Sequence, residues 1–279
     1  MMRICICGAG TMGTGIAQVC ASAGFDTILY DVNESMIIKA KEKLNKDLQQ
    51  LVDKKRISEE AKENIGQLLA FTSDYKNCWA DVVIEAIIEK REAKIDLFNQ
   101  LAQINEPETI FASNTSSLSI SDIATGIKGP ERVAGLHFFN PAPIMKLVEV
   151  VKGRQTAEAI LEQLVNLTRQ LGKEPVVCLD SPGFIVNRVA RPYYIESLRL
   201  AEEEEVDFET IDHILENRGF KMGPFKLMDL IGNDINYAVS CSVYEQLNKP
   251  ERLKPSFIQK QKVENGNLGK KTGKGYYEY

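Results

Sequence analysis

Short β-branched runs alternate with stretches of helical hydrophobic period through the first two thirds of the chain. Residues 3–7 read as a buried strand, and a helical pattern follows over 11–23. A second strand is predicted over 27–30, ending at Asp31. Further strands are predicted at 82–84, 109–112, 132–136, 147–151 and 175–178. Such alternation builds an α/β fold with a mainly parallel sheet and helices on both faces, because parallel neighbours need a long crossover that packs back on the sheet. Between residues 34 and 69 the pattern is helical, charged and longer than a usual crossover. It predicts a helical hairpin inserted after the second strand, with Ser58 of Ser58-Glu59-Glu60 capping the second arm.

The character changes at Ser181-Pro182-Gly183, beyond which apolar residues recur at helical spacing from Phe184 and no strand is expected until the last few residues. The expected division is a first domain of residues 1–183 and an all-α domain of 184–279. The second is thin for a self-sufficient core, so it is expected to pack on the first domain and on a partner subunit. The acidic run 202–205 reads as a solvated helix end.

Composition narrows the partners. A net charge of −5 argues against nucleic-acid binding, which wants a basic footprint. A polyanionic ligand must therefore be held by local positive charge or by backbone amides. No stretch approaches the apolar length of a membrane span, and the N-terminal residues read as a first strand and not a signal peptide. No nucleic-acid or membrane partner is expected. The six cysteines form no Cys-x-x-Cys pair and read as free thiols of a reducing cytoplasm.

Gly8-Ala9-Gly10-Thr11-Met12-Gly13 is a G-x-G-x-x-G loop between a strand and a helix. Gly8 permits the tight turn, Gly10 lets a pyrophosphate approach the backbone, and Gly13 allows close helix–sheet packing. The N–H groups at the helix start, near Thr11 and Met12, offer partial positive charge to phosphates. Asp31, at the end of the second strand, can accept from the adenosine ribose hydroxyls and would repel a 2′-phosphate. The alternative for Asp31 is a turn residue or helix cap with Asn33. Together these features predict a Rossmann-type, doubly wound domain that binds NAD.

Ser113-Asn114-Thr115-Ser116-Ser117 follows a strand, where doubly wound sheets gather ligands. It could also serve as a capping cluster for the next helix. One of only two histidines, His137, stands in Gly135-Leu136-His137-Phe138-Phe139-Asn140-Pro141, and Glu149 follows in the next apolar run. Alcohol oxidation needs a base for the hydroxyl proton while hydride leaves the same carbon. Imidazole titrates near neutrality, at about 6.5, which suits that task. A carboxylate on the other ring nitrogen would fix the tautomer; otherwise Glu149 is a surface residue on an edge strand. Lys54-Lys55-Arg56 is a solvated helix end or a phosphate anchor.

These blocks, with Ser181-Pro182-Gly183-Phe184-Ile185-Val186-Asn187-Arg188, Met222-Gly223-Pro224-Phe225 and Gly269-Lys270-Lys271-Thr272-Gly273, run in order along almost the whole chain. In this the chain resembles the short-chain 3-hydroxyacyl-CoA dehydrogenases, among them the bacterial 3-hydroxybutyryl-CoA enzymes. The resemblance implies reversible, NAD-linked oxidation of a 3-hydroxyacyl-CoA to a 3-ketoacyl-CoA. It implies His137 as general acid/base oriented by Glu149, with Ser116 and Asn187 on the C3 oxygen or thioester side. It also implies Glu89, Lys94, Asn140 and Lys271 at the cofactor, Lys54 on coenzyme A, and a homodimer through the helical domain.

Two departures bear on the substrate. A serine that helps hold coenzyme A in some members corresponds to Asp47 here. Segments 187–194 and 232–237 look closer to members acting on 3-hydroxyadipyl-CoA in aromatic-acid breakdown. Arg191 lies four residues after Asn187, so on a regular helix it shares that face, and its planar fork suits a distal carboxylate. Pro192 can disturb that helix, and a surface or interdomain salt bridge with a nearby glutamate is the alternative. The β-hydroxyacid dehydrogenases share the glycine loop but rely on a catalytic lysine, and the His-Phe-Phe-Asn-Pro block disfavours them. A non-catalytic dinucleotide-binding or structural protein could lose Ser116, His137, Glu149 or Asn187, yet all four are present.

Overall fold

The computed structural model describes residues 2–203 and 206–279. Its contacts divide the chain into two units, Met1–Asp180 and Ser181–Tyr279. The first unit begins with β1 (Arg3–Cys7), α1 (Thr11–Ser22) and β2 (Asp26–Tyr30). A helical hairpin follows, of α2 (Glu34–Asp53) and α3 (Glu59–Gln67), and then β3 (Leu69–Thr72). Next come β4 (Val82–Glu85), α4 (Arg91–Leu101), β5 (Ile110–Ser113), the short α5 (Ile120–Ala124) and β6 (Val133–Phe138). The unit closes with β7 (Leu147–Lys152), α6 (Glu158–Gln170) and β8 (Glu174–Leu179).

The hairpin forms as expected. Asn33 caps α2 by accepting from the Ser35 N–H, and Ser58 caps α3 by accepting from the Ala61 N–H. The alternating apolar positions of α2 bury Ile37, Ala40, Leu44 and Leu48. The strand β3 was not expected. It follows α3 with no turn residues between them, and it is a short edge strand whose residues are half-buried or exposed, so no period-2 signal marks it.

The eight strands form one sheet in the order β3-β2-β1-β4-β5-β6-β7-β8. The first six follow the doubly wound order, with the topological switch between β1 and β4. All pairs are parallel except β6 with β7. The exception has a local cause: β6 and β7 are joined by the short loop 139–146, which cannot hold the crossover a parallel pair requires. Ile4, Ile6, Leu29, Val82 and Ile84 of the central strands pack with Ile16 and Val19 of α1 in the main core.

The second unit is helical: α7 (Val186–Glu202), α8 (Phe208–Asn217), α9 (Pro224–Ile231), α10 (Asn233–Gln246) and α11 (Phe257–Glu264). Its core joins Tyr194, Leu198, Ile211, Phe225, Met228 and Tyr276. Two buried aspartates fix the tail. Asp229 accepts from the Tyr276 and Tyr277 N–H groups and from the Tyr279 hydroxyl, and Asp212 accepts from the Tyr277 hydroxyl. The expectation of a solvated acidic helix end fails at Glu202, whose carboxylate accepts from the Phe257 N–H and the Ser256 hydroxyl at the start of α11. Glu204 and Glu205 lie outside the described residues.

Candidate active site

The glycine loop leaves the carboxyl end of β1 and enters α1 directly. Gly8 has a φ of 105°, and a Cβ there would stand 2.5 Å from the Ala86 carbonyl oxygen. A Cβ on Gly13 would fall 1.7 Å from the Gly8 carbonyl oxygen, so neither position admits a side chain. Beside Gly10 the space is open, with nothing within 4 Å of a built Cβ. The first-turn N–H groups of α1 have no side-chain cap, which leaves donors for an anion. A cleft of about 670 Å³ runs here, lined by Gly8, Gly10, Asp31, Val32, Ala86 and Ile88 among others. It sits at the switch point between β1 and β4, and its glycine floor fits a dinucleotide pyrophosphate.

Asp31 serves the loop itself as well as the cleft. One carboxylate oxygen accepts from the Ala9 N–H at 2.8 Å and the other from the Asn33 N–H at 2.9 Å. The turn-residue reading therefore holds, and it leaves Asp31 lining the cleft.

The carboxyl ends of β4 and β5 carry a charged network. Lys94 of α4, only 1% exposed, donates to Glu85 at 2.6 Å and to Glu89 at 3.1 Å. Glu85 also accepts from the Ser113 hydroxyl at 2.6 Å and the Ile87 N–H at 2.7 Å. Glu89 accepts from the Ser116 N–H, the Ser117 hydroxyl and the Thr115 hydroxyl. Burial raises the Glu85 carboxyl above its ordinary value, against the pull of Lys94 and its hydrogen bonds. For Glu89 burial acts the same way, but the Lys94 charge and the hydroxyl donors outweigh it and hold the carboxyl below its ordinary value.

The serine loop is tied on both sides. The Asn114 N–H donates to the Glu85 carbonyl at 2.8 Å, and the Asn114 side-chain oxygen accepts from the Phe138 N–H at 2.8 Å. The helix cap lies further on than 113–117: Ser119 caps α5, and Asp180 accepts from the Ser119 hydroxyl and the Ile120 and Ser121 N–H groups.

His137 is the fifth residue of β6 and pairs in register with Glu149 of β7. Its Nδ1 stands 2.7 Å from a Glu149 carboxylate oxygen, with both side chains buried. The Phe139 ring packs 4.5 Å from the imidazole. Glu149 is neither on an edge strand nor at a strand end, since β8 covers β7. In the following loop Asn140 is exposed and precedes a cis bond to Pro141. Lys173 closes that loop by donating to the carbonyls of Ala142 and Met145.

The remaining expected residues belong to other elements. Lys54 is the exposed C-cap of α2, and Asp47 pairs with Lys43 at 2.6 Å. Asn187, Arg191 and Lys271 belong to the second unit. Asn187 is in the first turn of α7, and Lys271 pairs with Asp234 at 2.6 Å. The carboxylate-reading role expected of Arg191 needs correction. Its side chain is 2% exposed and donates to the carbonyls of Asn187 and Asn236 and to the Ser240 hydroxyl. The guanidinium lies over the Tyr194 ring at 4.9 Å, and α7 continues through Pro192. These internal acceptors take Nε and Nη1, so neither edge of the guanidinium keeps both its donors for a ligand carboxylate.

Glu85 escaped the sequence reading altogether, because the predicted strand stopped one residue short of it. Its only signal was an acidic residue closing an apolar run. Among the described residues no helix is long and apolar enough to cross a membrane, and no cluster of His, Cys, Asp or Glu could hold a metal.

The family pattern "3-hydroxyacyl-CoA dehydrogenase, NAD binding domain" matches residues 3–181, and "3-hydroxyacyl-CoA dehydrogenase, C-terminal domain" matches residues 183–279. A 3-hydroxyadipyl-CoA dehydrogenase of Escherichia coli is 48% identical over the whole chain, which spans 59% of that protein's length. The crystal structure of a 3-hydroxybutyryl-CoA dehydrogenase from Escherichia coli, also 48% identical, superposes with a TM-score of 0.96 over 99% of this chain and 59% of its own. An (S)-3-hydroxybutyryl-CoA dehydrogenase of Ralstonia eutropha, 34% identical, superposes with a TM-score of 0.95 over 100% of this chain and 99% of its own. With both family patterns matched in order over the fold just described, the chain belongs to the 3-hydroxyacyl-CoA dehydrogenase family.

Proposed function

We propose that this protein is an NAD-dependent dehydrogenase that interconverts a 3-hydroxyacyl-CoA and the 3-ketoacyl-CoA. The carrying observation is the buried His137–Glu149 pair in the same unit as the glycine-loop cleft. A carboxylate on Nδ1 keeps the proton on that nitrogen, which leaves the lone pair of Nε2 to take the proton of the substrate hydroxyl. As the proton arrives, Glu149 stabilises the imidazolium in a site too buried for water to do so. NAD, when bound, supplies the acceptor for the hydride from C3. Gly8, Gly10, Thr11, Met12 and Gly13 would hold its pyrophosphate, Asp31 its ribose, and Glu89, Lys94, Asn140 and Lys271 its remaining part. Ser116 and Asn187 would bind the substrate oxygen, and Lys54 the phosphates of coenzyme A.

The acyl group is best read as 3-hydroxybutyryl. A second reading, 3-hydroxyadipyl, is favoured by the 48% identity to the Escherichia coli protein of that name. A homodimer through the second unit agrees with its exposed Val189, Ile214 and Ile235 side chains. Six unpaired cysteines agree with a reducing cytoplasm. The test is oxidation of NADH by acetoacetyl-CoA, followed at the reduced-nicotinamide absorbance band. Turnover no faster than the enzyme-free background would overturn the reading. Comparing kcat/KM for the butyryl and adipyl substrates decides between the two acyl groups.

A further inference from the structure

Glu85 takes no part in the chemistry proposed above, yet it is completely buried. It closes β4, in register with Cys7 on one side and Ser113 on the other. Its carboxylate gathers three donors from three segments: the Ile87 N–H of the turn after β4, the Lys94 ammonium of α4, and the Ser113 hydroxyl at the end of β5. Each segment leads to the proposed site. The turn packs on the glycine loop through the Ala86 carbonyl. Lys94 passes its second bond to Glu89, which receives the Ser116 N–H. Ser113 opens the serine loop, and its hydroxyl also accepts from the Thr115 N–H at 3.2 Å.

Stability alone is a poor reason for this arrangement. Two desolvated charges return little net stability over an apolar pair of the same volume, whereas their geometry is highly specific. We propose that Glu85 is a positioning residue, whose carboxylate locks the Lys94 ammonium, the turn 86–89 and the serine loop 113–117 into one fixed register beside the dinucleotide loop. Its catalytic consequence rests on the dehydrogenase reading, but the lock itself does not.

Glu85→Gln keeps the size and one acceptor oxygen but removes the charge, leaving Lys94 with Glu89 alone. Three measurements on the full chain test the lock. Amide hydrogen exchange at Ile87, Thr115 and Ser116 should quicken by about tenfold or more, the lower end of what a charge-assisted hydrogen bond is worth. Affinity for NADH, read by its fluorescence, should weaken by about the same factor. On a Lys94→Met background the substitution should add little, since the ammonium it positions is gone. Ser113→Ala, a milder change, should show the same exchange pattern at Thr115 with the fold intact. A merely structural Glu85 would lower the Tm and leave NADH affinity as it was, with effects that add to those of Lys94→Met. Unchanged exchange at the three amides, or additive effects on NADH affinity, would overturn the proposal. A parent protein without NADH affinity would overturn the dehydrogenase reading instead, and exchange at the three amides would still decide for or against the lock.

Discussion

His137 and Glu149 face one another across an antiparallel strand pair, and their side chains meet at 2.7 Å because β7 runs against β6. The carboxylate fixes the imidazole on one side through Nδ1, and Phe139 packs beside the ring. Glu149 is itself in the sheet interior, so its position is set by the ladder and not by a mobile loop.

This pairing gives the first prediction. His137→Gln should lower kcat by about two to four orders of magnitude, the usual worth of general acid–base help. NADH affinity should hardly change. Glu149→Gln should also impair turnover, because the imidazolium loses its charged partner. Steady-state kinetics with acetoacetyl-CoA check both; a His137→Gln protein within a few-fold of the parent removes the base assignment.

Asp31 is expected to govern the choice of cofactor. A carboxylate at the end of β2 repels a 2′-phosphate, so NADH should be used much more efficiently than NADPH. Asp31→Ser should narrow the preference. Because Asp31 also accepts from the Ala9 N–H, the same change should raise the KM for NADH by loosening the glycine loop. Equal efficiency with both cofactors in the parent would count against Asp31.

Arg191 is expected to affect stability and leave specificity alone. Replacing it with Leu removes a buried donor from the Asn236 carbonyl and the Ser240 hydroxyl, which keep their bond to one another, so the loss is about 0.5–1.5 kcal/mol per hydrogen bond, partly offset by the relief of burying a cation. Burial already pushes the Arg191 guanidinium down to about 10. Thermal denaturation should show a lowered Tm, while the ratio of kcat/KM for adipyl and butyryl substrates stays as in the parent. A selective loss of the dicarboxylic substrate would restore the carboxylate-reading role.

Glu89 should make the serine loop sensitive to acid. Its folded-state value lies below the ordinary 4.5 because the Lys94 charge and the hydroxyl donors outweigh burial. A depressed carboxyl contributes stability above the unfolded value and loses it as pH falls through the folded one. The Tm of the parent should therefore exceed that of Glu89→Gln near neutral pH, and the two curves should converge in acid below 4.5. Curves that stay parallel from neutral pH into that range would show that the carboxylate's charge contributes nothing to the loop.

The sequence by itself determined the strand–helix alternation, the inserted hairpin with its Ser58 cap, the glycine loop between β1 and α1, and the helical character beyond Phe184. These are local properties. Hydrophobic period, capping chemistry and the glycine requirement of a tight turn are written in neighbouring residues. The tertiary structure alone decided which distant groups meet. The strand direction of β7 brings Glu149 to His137, although an exposed place on an edge strand was open to the glutamate from its sequence alone. The register of β4 with β5 makes Glu85 a partner of Ser113, and α4 brings Lys94 to the same carboxylate. Arg191 shows the converse: its residue type suited a ligand carboxylate, but the fold turned it toward carbonyls of α7 and α10. Glu202 likewise left an apparently solvated run to hold the start of α11. Each of these depends on long-range pairing of a donor with an acceptor, which no local period encodes, because the cost of leaving a buried polar group unpaired is settled only when the whole chain has packed.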